Sequence, residues 1–558
     1  MESPSSDPRF PDYSRHTHDQ PAPRPSPSVP QLPVEPVASV IPMSTAPSSA
    51  SAIPVQPAAP QSVVIVGAGL GGLAAACLLS AKGYKVTVVE KEQEVGGWAN
   101  PEAQSGFLFD RVPGWYMFPN LYEHIFSLCG EQIKDHVQLT RLNPSHRLVF
   151  KDTDHIVDMR SDVTIDGRQF EEFEKGDTTT LEAYLETCKQ LSEAAMNDYL
   201  FENRSTRLTS LLTLSTTRAL FKAGLFSSLE RHTNPAKGEL LRKALQYQAV
   251  VLGSNPATLP ALYAASTHQD FESGILYPQG GLKAVAQALK ELSVKHGAQY
   301  RCGQEVSKII ISGGAAVGVE LTGGQTISAQ YVISNADLHQ AETSLLPAGS
   351  RQNDESFWKS APLTASAFVL NLGITGTVDQ LLHHTVVFSK DWNRANDQIF
   401  NEGRFASDPS FYISMPSKTD RSYAPEGQES VTVFVPIPAR KHYTDEDSAL
   451  YTEQILRTLE HDVKISDIRA RITYQKAFCL TAPEYTEHAF GGSMFGLAHN
   501  AGTSAVTRHP VVSGQATNLY HVGANTQPGI GQAMSLAAAE RAVKHIIGSD
   551  QKGPLTTL

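Results

Sequence analysis

Cysteine is scarce in this chain of 558 residues, and the few that occur are scattered. They are Cys77, Cys129, Cys188, Cys302 and Cys479, and no two of them form a C-x-x-C pair. Because structural zinc sites and redox motifs need closely spaced thiols, we expect neither a bound metal nor a disulfide framework. The scarcity of cysteine fits a reducing compartment and therefore an intracellular location.

Long apolar runs and an excess of positive charge are also missing. No stretch of ~18 apolar residues occurs, so a transmembrane helix is not expected. The N-terminus, MESPSSDPRF, lacks the charged start and the apolar core of a secretory signal peptide. The formal net charge is -11 and no Lys/Arg run occurs, which excludes a basic face for nucleic acid. We expect a cytoplasmic protein, and peripheral contact with a membrane remains an alternative.

Proline is concentrated at the N-terminus, where residues 1–60 hold 15 of the 34 prolines. Such a segment buries too little apolar surface to offset its ordering entropy, so we predict a disordered tail. The tail is either a solvated linker or a regulatory or targeting segment. The rest of the chain is too long for one core and favours two or three lobes.

The ordered part begins with a strand, a helix and a second strand. The β-branched run at 63–66 predicts a buried strand, and the Ala- and Leu-rich stretch at 70–82 predicts a helix that Gly83 ends. Residues 84–89 predict the next strand. Gly67, Gly69 and Gly72 lie between the first strand and the helix as G-x-G-x-x-G. This context predicts a dinucleotide site, with the pyrophosphate at the helix N-terminus.

Glu90 stands at the end of the second strand, where a carboxylate can accept hydrogen bonds from ribose hydroxyls. A second glycine pair, Gly96 and Gly97, follows closely and favours FAD over NAD. Near the C-terminus, the segment VGANTQPGIGQAMSLAAAERAVKHII contains a Gly-rich turn that opens a helix. This segment resembles the closing motif of a large flavoprotein superfamily, in which such a helix lies under the flavin. The resemblance implies that the helix dipole would stabilise negative charge on the reduced flavin.

Further along the chain the pattern predicts helices at 181–196, 220–247 and 282–296, then short strands at 305–312, 316–322 and 325–334. The last 40 residues predict a strand, NLYHVGA, and a helix at 534–547.

The order of these motifs resembles the flavoprotein superfamily of amine oxidases, desaturases and Rab escort-type proteins. Within it, several stretches resemble the carotenoid (phytoene) desaturase family. They are FDRVPGWYMFPNLYEHIF at 109–126, LTRLNPSHRLVF at 139–150, LYPQGGLKAVAQAL at 276–289, VISNAD at 332–337, LLHHTVVFS at 381–389 and DPSFYISMPSKTDRSYAPEG at 408–427. The resemblance covers about residues 62–550.

The resemblance implies an α/β fold, with a Rossmann-like FAD-binding domain and an inserted mixed α+β substrate-binding lobe behind the disordered tail. The FAD-binding domain would be assembled from 61–120, 272–340 and 480–550, and the substrate-binding lobe from 121–271 and 341–479. The expected cofactor contacts are Gly67, Ala68, Gly69, Gly71, Gly72, Glu90, Lys91, Gly97, Trp98, Val306, Gly523, Gly529, Gly531, Gln532 and Ala533.

The activity that the resemblance implies is FAD-dependent desaturation of a long apolar isoprenoid or polyene, with oxygen or a quinone as electron acceptor. The flavin would carry the redox chemistry and the protein would orient the substrate in an apolar tunnel. The expected tunnel residues are Trp115, Tyr116, Met117 and Phe118. The candidates for the proton acceptor, by residue type, are Asp110, His383 and His384.

Two departures from the family pattern lie near the expected flavin. Trp98 stands where relatives usually have Arg, and Gln532 and Ala533 stand where relatives usually have Val and Pro. A substrate other than phytoene is therefore a clear alternative. An amine or alcohol oxidase, a polyene isomerase or saturase, and a prenyl-lipid chaperone of the Rab escort type also remain open.

Overall fold

Strands and helices follow each other from residue 62 onward in the computed structural model, which describes residues 61–558 except 152, 154, 203–226, 273, 487–488 and 501–507. The described residues belong to one compact unit. The predicted tail at 1–60 and the first part of the predicted helix at 220–247 lie outside the described residues.

The strands are numbered along the chain. They are β1 (Ser62–Val66), β2 (Lys85–Val89), β3 (Glu102–Gln104), β4 (Phe107–Phe109), β5 (Leu139–Arg141), β6 (His146–Phe150), β7 (Ile156–Met159), β8 (Leu276–Pro278), β9 (Gln299–Arg301), β10 (Val306–Ser312), β11 (Ala315–Leu321), β12 (Thr326–Ser328), β13 (Tyr331–Ser334), β14 (Ser366–Thr375), β15 (His384–Phe388), β16 (Phe411–Ser414), β17 (Gln428–Ile437), β18 (Ile472–Cys479) and β19 (Leu519–His521).

The α-helices are numbered in the same way. They are α1 (Leu70–Ala81), α2 (Pro119–Leu128), α3 (Val163–Glu171), α4 (Asp177–Asp198), α5 (Leu229–Thr233), α6 (Glu239–Ala244), α7 (Tyr247–Val251), α8 (Ala265–Glu272), α9 (Gly281–Lys295), α10 (Leu338–Gln340), α11 (Glu355–Ser360), α12 (Trp392–Phe400), α13 (Asp445–His461), α14 (Ile468–Arg471), α15 (Pro483–Thr486) and α16 (Gln532–Ile547).

A parallel sheet in the order β19-β13-β1-β2-β9 contains the predicted βαβ start. Successive side chains of β1 face opposite sides, as the pleat requires. Val63 and Ile65 pack in one core with α1, α9 and α16. Val64 and Val66 pack in another core with the antiparallel sheet β10-β11-β12. The first strand is therefore apolar on both faces because both faces are covered.

The second large sheet has the order β18-β14-β17-β16-β15-β6-β7 and is mainly antiparallel. Its β15–β6 pair is parallel. One face packs against α4 to α8, and the other packs against α13. The α/β fold class is confirmed by these two sheets and their helices. The domain boundaries stay a prediction.

Two predicted elements are different in the structure. Residues 229–251 form the three short helices α5, α6 and α7, because Pro235 and Gly238 interrupt the helical pattern that the sequence suggested. The predicted strand at 325–334 divides at Ala329: β12 joins the antiparallel sheet and β13 joins the parallel sheet. The predicted helices at 181–196, 282–296 and 534–547 are confirmed by α4, α9 and α16.

No helix in the described ranges combines the length and the apolar character that crossing a bilayer would require. The same part of the chain contains no cluster of metal-ligating side chains, and all five cysteines are free thiols.

Candidate functional site

The glycine-rich loop connects the end of β1 to the start of α1. Gly67 has φ +92°, a conformation that favours glycine, and its N–H donates to the Val89 carbonyl at 2.8 Å. A Cβ on Gly72 would lie 2.2 Å from the Gly67 carbonyl oxygen, so only glycine lets α1 pass so close to the loop. Gly69 caps α1, whose first N–H groups are free to bind an anion.

Glu90 ties this loop to the end of β2. Its Oε2 accepts from the Ala68 N–H at 2.6 Å, and its Oε1 accepts from the Glu92 N–H at 3.0 Å. The carboxylate is buried. Lys91 follows it and is partly exposed, and Val306 packs in the same core as Val66 and Val89.

The second glycine pair lies beside the loop. Gly96 and Gly97 have φ of +121° and +56°, and the Gly96 N–H donates to the Ala68 carbonyl at 2.8 Å. A Cβ on Gly97 would lie 3.6 Å from the Gly69 Cα. Trp98 follows the pair and lines a cavity that begins at the loop.

The Gly-rich turn near the C-terminus, residues 523–531, is called the closing turn here. It lies at the same cavity. Gly523 and Gly531 have φ of +114° and +101°, and α16 begins at Gln532. The predicted cofactor residues that line the cavity are Gly69, Gly71, Trp98, Gly523, Gly529, Gly531, Gln532 and Ala533. The other seven predicted cofactor residues do not line it. Gly67 and Ala68 lie in the loop, Gly72 in α1, Glu90 and Lys91 directly after β2, Gly97 in the 3₁₀ turn Gly97–Ala99, and Val306 at the start of β10.

Asn335 is a residue of this site that the sequence analysis did not single out. Its side chain lies between the loop and the closing turn: a Cβ on Gly69 would be 2.8 Å from its Nδ2, and a Cβ on Gly71 would be 2.7 Å from its Oδ1. Asn335 directly follows β13 in the Asn-Ala-Asp sequence. A polar residue at the carboxyl end of a parallel strand was the available signal.

Beyond the turn the cavity extends between the parallel sheet and the helices that pack against the second large sheet. Its walls there are mainly apolar and include Val112, Val251, Leu252, Leu262 and Met494. Of the four predicted tunnel residues, three line the cavity, namely Trp115, Met117 and Phe118. The fourth, Tyr116, does not line it, because its ring packs against Tyr122 at a centroid distance of 4.4 Å.

The three predicted proton acceptors do not line this cavity. Burial raises the pKa of Asp110 to about 6, against the lowering effect of hydrogen bonds from Ser414 and Tyr423. The Ser414 hydroxyl donates to Asp110 Oδ2 at 2.9 Å. The carboxyl group therefore holds a proton in mild acid but has no position on the cavity wall.

His383 and His384 are buried in and beside β15. His383 Nδ1 is hydrogen-bonded to the Thr419 hydroxyl at 2.8 Å, and His384 Nδ1 to the Tyr412 hydroxyl at 2.7 Å. Burial lowers the pKa of His383 to about 3 and that of His384 well below its usual value. Both rings are neutral, and His384 stacks behind Trp115 at 4.5 Å between ring centroids.

Two tyrosines that line the cavity near the closing turn were also missed by the sequence analysis. Tyr199 lines the cavity, and its hydroxyl donates to the Pro528 carbonyl at 2.6 Å. Tyr263 lines it as well, and its hydroxyl is hydrogen-bonded to His499 Nδ1. These residues lie in helical segments without a recognisable motif, so local sequence contained no signal for them.

The arrangement fits a flavin on three observations. Glycines lie where any side chain would obstruct the loop, and the N-termini of α1 and α16 both open on the cavity. Gln532 Oε1 is buried there without a hydrogen-bond partner among the described residues. Flavin rings carry an N–H group that such an acceptor can satisfy, since buried polar atoms are normally paired.

Comparisons with known proteins agree with this geometry. Residues 70–547 match the model of the flavin-containing amine oxidoreductase family. The chain is 36% identical over 489 residues to a carotenoid 3,4-desaturase of Haloarcula japonica, covering 87% of this chain and 98% of the relative. It is 32% identical over 482 residues to a 4,4'-diapophytoene desaturase (4,4'-diapolycopene-forming) of Methylomonas sp, covering 84% and 92%.

Among solved structures, wild-type putrescine oxidase bound to putrescine is similar with a TM-score of 0.56 at 15% identity, covering 88% of this chain and 99% of that one. At this identity the likeness concerns the fold alone. The family match spans most of the chain, and the curated relatives match almost from end to end. The chain is therefore a flavin-dependent member of the flavin-containing amine oxidoreductase family and, within it, of the carotenoid desaturases.

Proposed function

We propose that this protein is an FAD-dependent desaturase that introduces C=C bonds into a long apolar isoprenoid or polyene. The observation that carries the proposal is one cavity that joins the glycine loop and the closing turn to a mainly apolar wall. A polyene has no charged group to recognise, so an apolar cavity of this kind matches its chemistry. The names of the relatives, carotenoid 3,4-desaturase and diapophytoene desaturase, support the same substrate class.

FAD is the flavin that the loop side of the site favours. The pyrophosphate would lie at the N-terminus of α1 beside Gly69 and Gly71, because free N–H groups and the helix dipole attract anions. Glu90, at the end of β2, would accept from the ribose hydroxyls of the adenosine half. The Gln304 N–H donates to the Glu90 carbonyl at 3.0 Å, which holds this segment beside Glu90. Val306 is two residues further along, so Val306 would border the adenosine.

The redox half of the cofactor would lie at the closing turn. When bound, a flavin accepts a hydride from the substrate. The protein contributes the α16 N-terminus, which stabilises negative charge, and the apolar wall, which excludes water. Trp115, Met117 and Phe118 would hold the polyene along the cavity. The electrons would pass on to oxygen or a quinone.

Product analysis tests this proposal. The purified protein should absorb between about 350 and 500 nm as a flavoprotein, and heat should release FAD rather than FMN. Incubation with phytoene, and separately with diapophytoene, in liposomes containing a quinone should give products with red-shifted absorbance. A flavoprotein that leaves every polyene unchanged would contradict the substrate class. A protein that neither contains nor takes up FAD would contradict the function altogether.

A further inference from the structure

Tyr263 and His499 form a hydrogen-bonded pair at the cavity wall next to the closing turn. Tyr263 lies in the 3₁₀ turn Ala261–Ala264, and its hydroxyl is hydrogen-bonded to His499 Nδ1. The two rings meet edge to face, with centroids 5.0 Å apart. The tyrosine lines the cavity, whereas the histidine lies behind it and is 2% exposed. Of this pair, only the tyrosine can therefore contact a bound substrate.

The pair packs directly against the turn at which the flavin is proposed to bind. A Cβ on Gly529 would lie 3.1 Å from the Tyr263 hydroxyl oxygen and 3.7 Å from His499 Cε1. The Ile530 backbone N–H lies near the Tyr263 hydroxyl and lowers the pKa of the phenol, although burial outweighs this effect. We assign the neutral tautomer of His499 with an unprotonated Nδ1, so that the Tyr263 hydroxyl donates its proton to Nδ1.

The protonation states are determined by the surroundings of the pair. Burial and the nearby Arg508 hold the pKa of His499 well below its usual range, so the ring is neutral and Nδ1 is free to accept. Burial raises the pKa of Tyr263. Among the residues that the structure describes, the other groups that face the pair are Arg508 and Tyr199. The Arg508 guanidinium donates to the Ala524 carbonyl at 2.6 Å. His499 Nε2 is buried and has no hydrogen-bond partner within the described ranges.

We propose that Tyr263 accepts the proton that the substrate loses during desaturation, and that His499 takes up the hydroxyl proton of Tyr263 in the same step. The inference rests on the proposed desaturase function. A bound flavin would supply the acceptor for the hydride that one substrate carbon loses, and the neighbouring carbon would lose a proton. The electron pair of that second C–H bond becomes the new π bond. The proton joins the Tyr263 oxygen while the original hydroxyl proton passes to His499 Nδ1, leaving neutral tyrosine and a cationic imidazole.

A weak base is sufficient for this step. Loss of the hydride leaves an electron-deficient carbon, and a C–H bond next to such a carbon is strongly acidic. A neutral phenol that is hydrogen-bonded to a neutral imidazole can accept that proton. The cationic imidazole then releases its proton readily, because Arg508 disfavours the cationic form of the ring. Tyr263 is thus the catalytic residue, and His499 acts through it.

Two variants and one control test the pair. Tyr263→Phe keeps the ring and removes the hydroxyl, and His499→Gln keeps a hydrogen-bond acceptor that cannot hold the proton. Tyr451→Phe removes another buried tyrosine hydroxyl, which donates to the Ala406 carbonyl in a core apart from the cavity. For each we would measure flavin content, polyene binding to the flavin-free protein, kcat, KM, and the isotope effect of deuterium at the proton-losing carbon.

We expect Tyr263→Phe and His499→Gln to lower kcat by about 100-fold, within the range of general acid–base catalysis. Flavin content, polyene binding and KM should stay close to those of the wild type, and the isotope effect should increase because proton loss becomes limiting. Tyr451→Phe should behave like the wild type. An unchanged kcat and isotope effect in Tyr263→Phe would overturn the inference, as would a loss of kcat that only parallels lost flavin or polyene. A wild-type protein inactive on every polyene would instead overturn the proposed function, and the inference with it.

Discussion

The tightest backbone approach in the glycine loop is at Gly72. A Cβ there would lie 2.2 Å from the Gly67 carbonyl oxygen, and neither backbone can move without displacing β1 or α1. We expect Gly72→Ala to lower the free energy of unfolding by about 1–3 kcal/mol, as overpacking does, and to reduce bound flavin. Urea denaturation and the flavin absorbance per protein measure the two effects.

A matched control exists at Gly323, where a Cβ would meet nothing within 4 Å and the backbone needs no left-handed conformation. Gly323→Ala should leave both the stability and the flavin content unchanged. Equal effects of the two substitutions would show that the close approach at Gly72 is unimportant.

Asp110 gives the protein a specific pH dependence of stability. Its pKa is raised from 3.8 to about 6 in the folded state. As the pH rises from 4 to 6 the unfolded chain releases this proton and the folded chain keeps it, so the contribution to stability is present in acid and is lost through pH 6. Asp110→Asn removes this loss. Its stability relative to the wild type should rise by about 1–2 kcal/mol between pH 4 and 7, since the carboxyl group is only partly buried.

Urea denaturation of the two proteins at several pH values measures that difference. Other buried carboxyl groups with raised pKa values, such as Asp270 and Asp337, titrate in both proteins and cancel in the comparison. Parallel stability curves for the wild type and Asp110→Asn would contradict the raised pKa.

At the scale of elements, α16 carries charges inside the core. Glu540 accepts from the Leu555 N–H at 2.6 Å and is paired with His124 at 2.8 Å. Lys544 lies one turn further, with its Nζ 4.0 Å from Glu540 Oε1, and both side chains are fully buried. These contacts attach α2 and the C-terminal segment to the helix that begins at the closing turn.

Glu540→Ala should therefore be strongly destabilising. It removes the carboxylate that faces the buried Lys544 charge, although Lys544 keeps its backbone carbonyl acceptors, and it leaves the Leu555 N–H without its acceptor. A change of this kind costs about 3–5 kcal/mol. Urea denaturation measures the loss. On the exposed face of α13, Glu453 pairs with Arg457 and Arg469, and Glu453→Ala should change stability little because water screens these pairs. Similar losses in the two variants would contradict the role of burial.

The sequence patterns predicted most elements but not how they are divided among sheets. The strand pattern at 325–334 was continuous, yet the chain changes sheets at Ala329. β12 before it joins the antiparallel sheet, and β13 after it joins the parallel sheet. The alternation of side chains describes a strand and contains no information about its neighbour, so this division depends on tertiary packing.

At the scale of the whole molecule, the cavity lies between segments that are far apart in sequence. A larger side chain on its wall tests whether the substrate needs this space. Met117 is partly buried on its wall. Met117→Trp should fill space that the polyene needs, lowering turnover at least tenfold by a loss of about 1.4 kcal/mol or more in transition-state binding, with flavin content unchanged. Product formation and flavin absorbance separate the two effects.

Leu450→Trp is the matched control, because Leu450 is 66% exposed on α13 and does not line the cavity. It should retain full turnover. Undiminished turnover by Met117→Trp would exclude this wall from the substrate path.

The sequence by itself determined the βαβ start, its glycine loop with Glu90, the closing turn and the family, because each of these is encoded in a few adjacent residues. Only the tertiary structure decided which side chains line the cavity. Asn335 and Tyr263 line it from separate segments, with His499 behind Tyr263, whereas Asp110, His383 and His384 have the right chemical type but do not line it. A cavity is formed by residues that are distant in the chain, and their convergence depends on how the sheets and helices pack rather than on any local pattern.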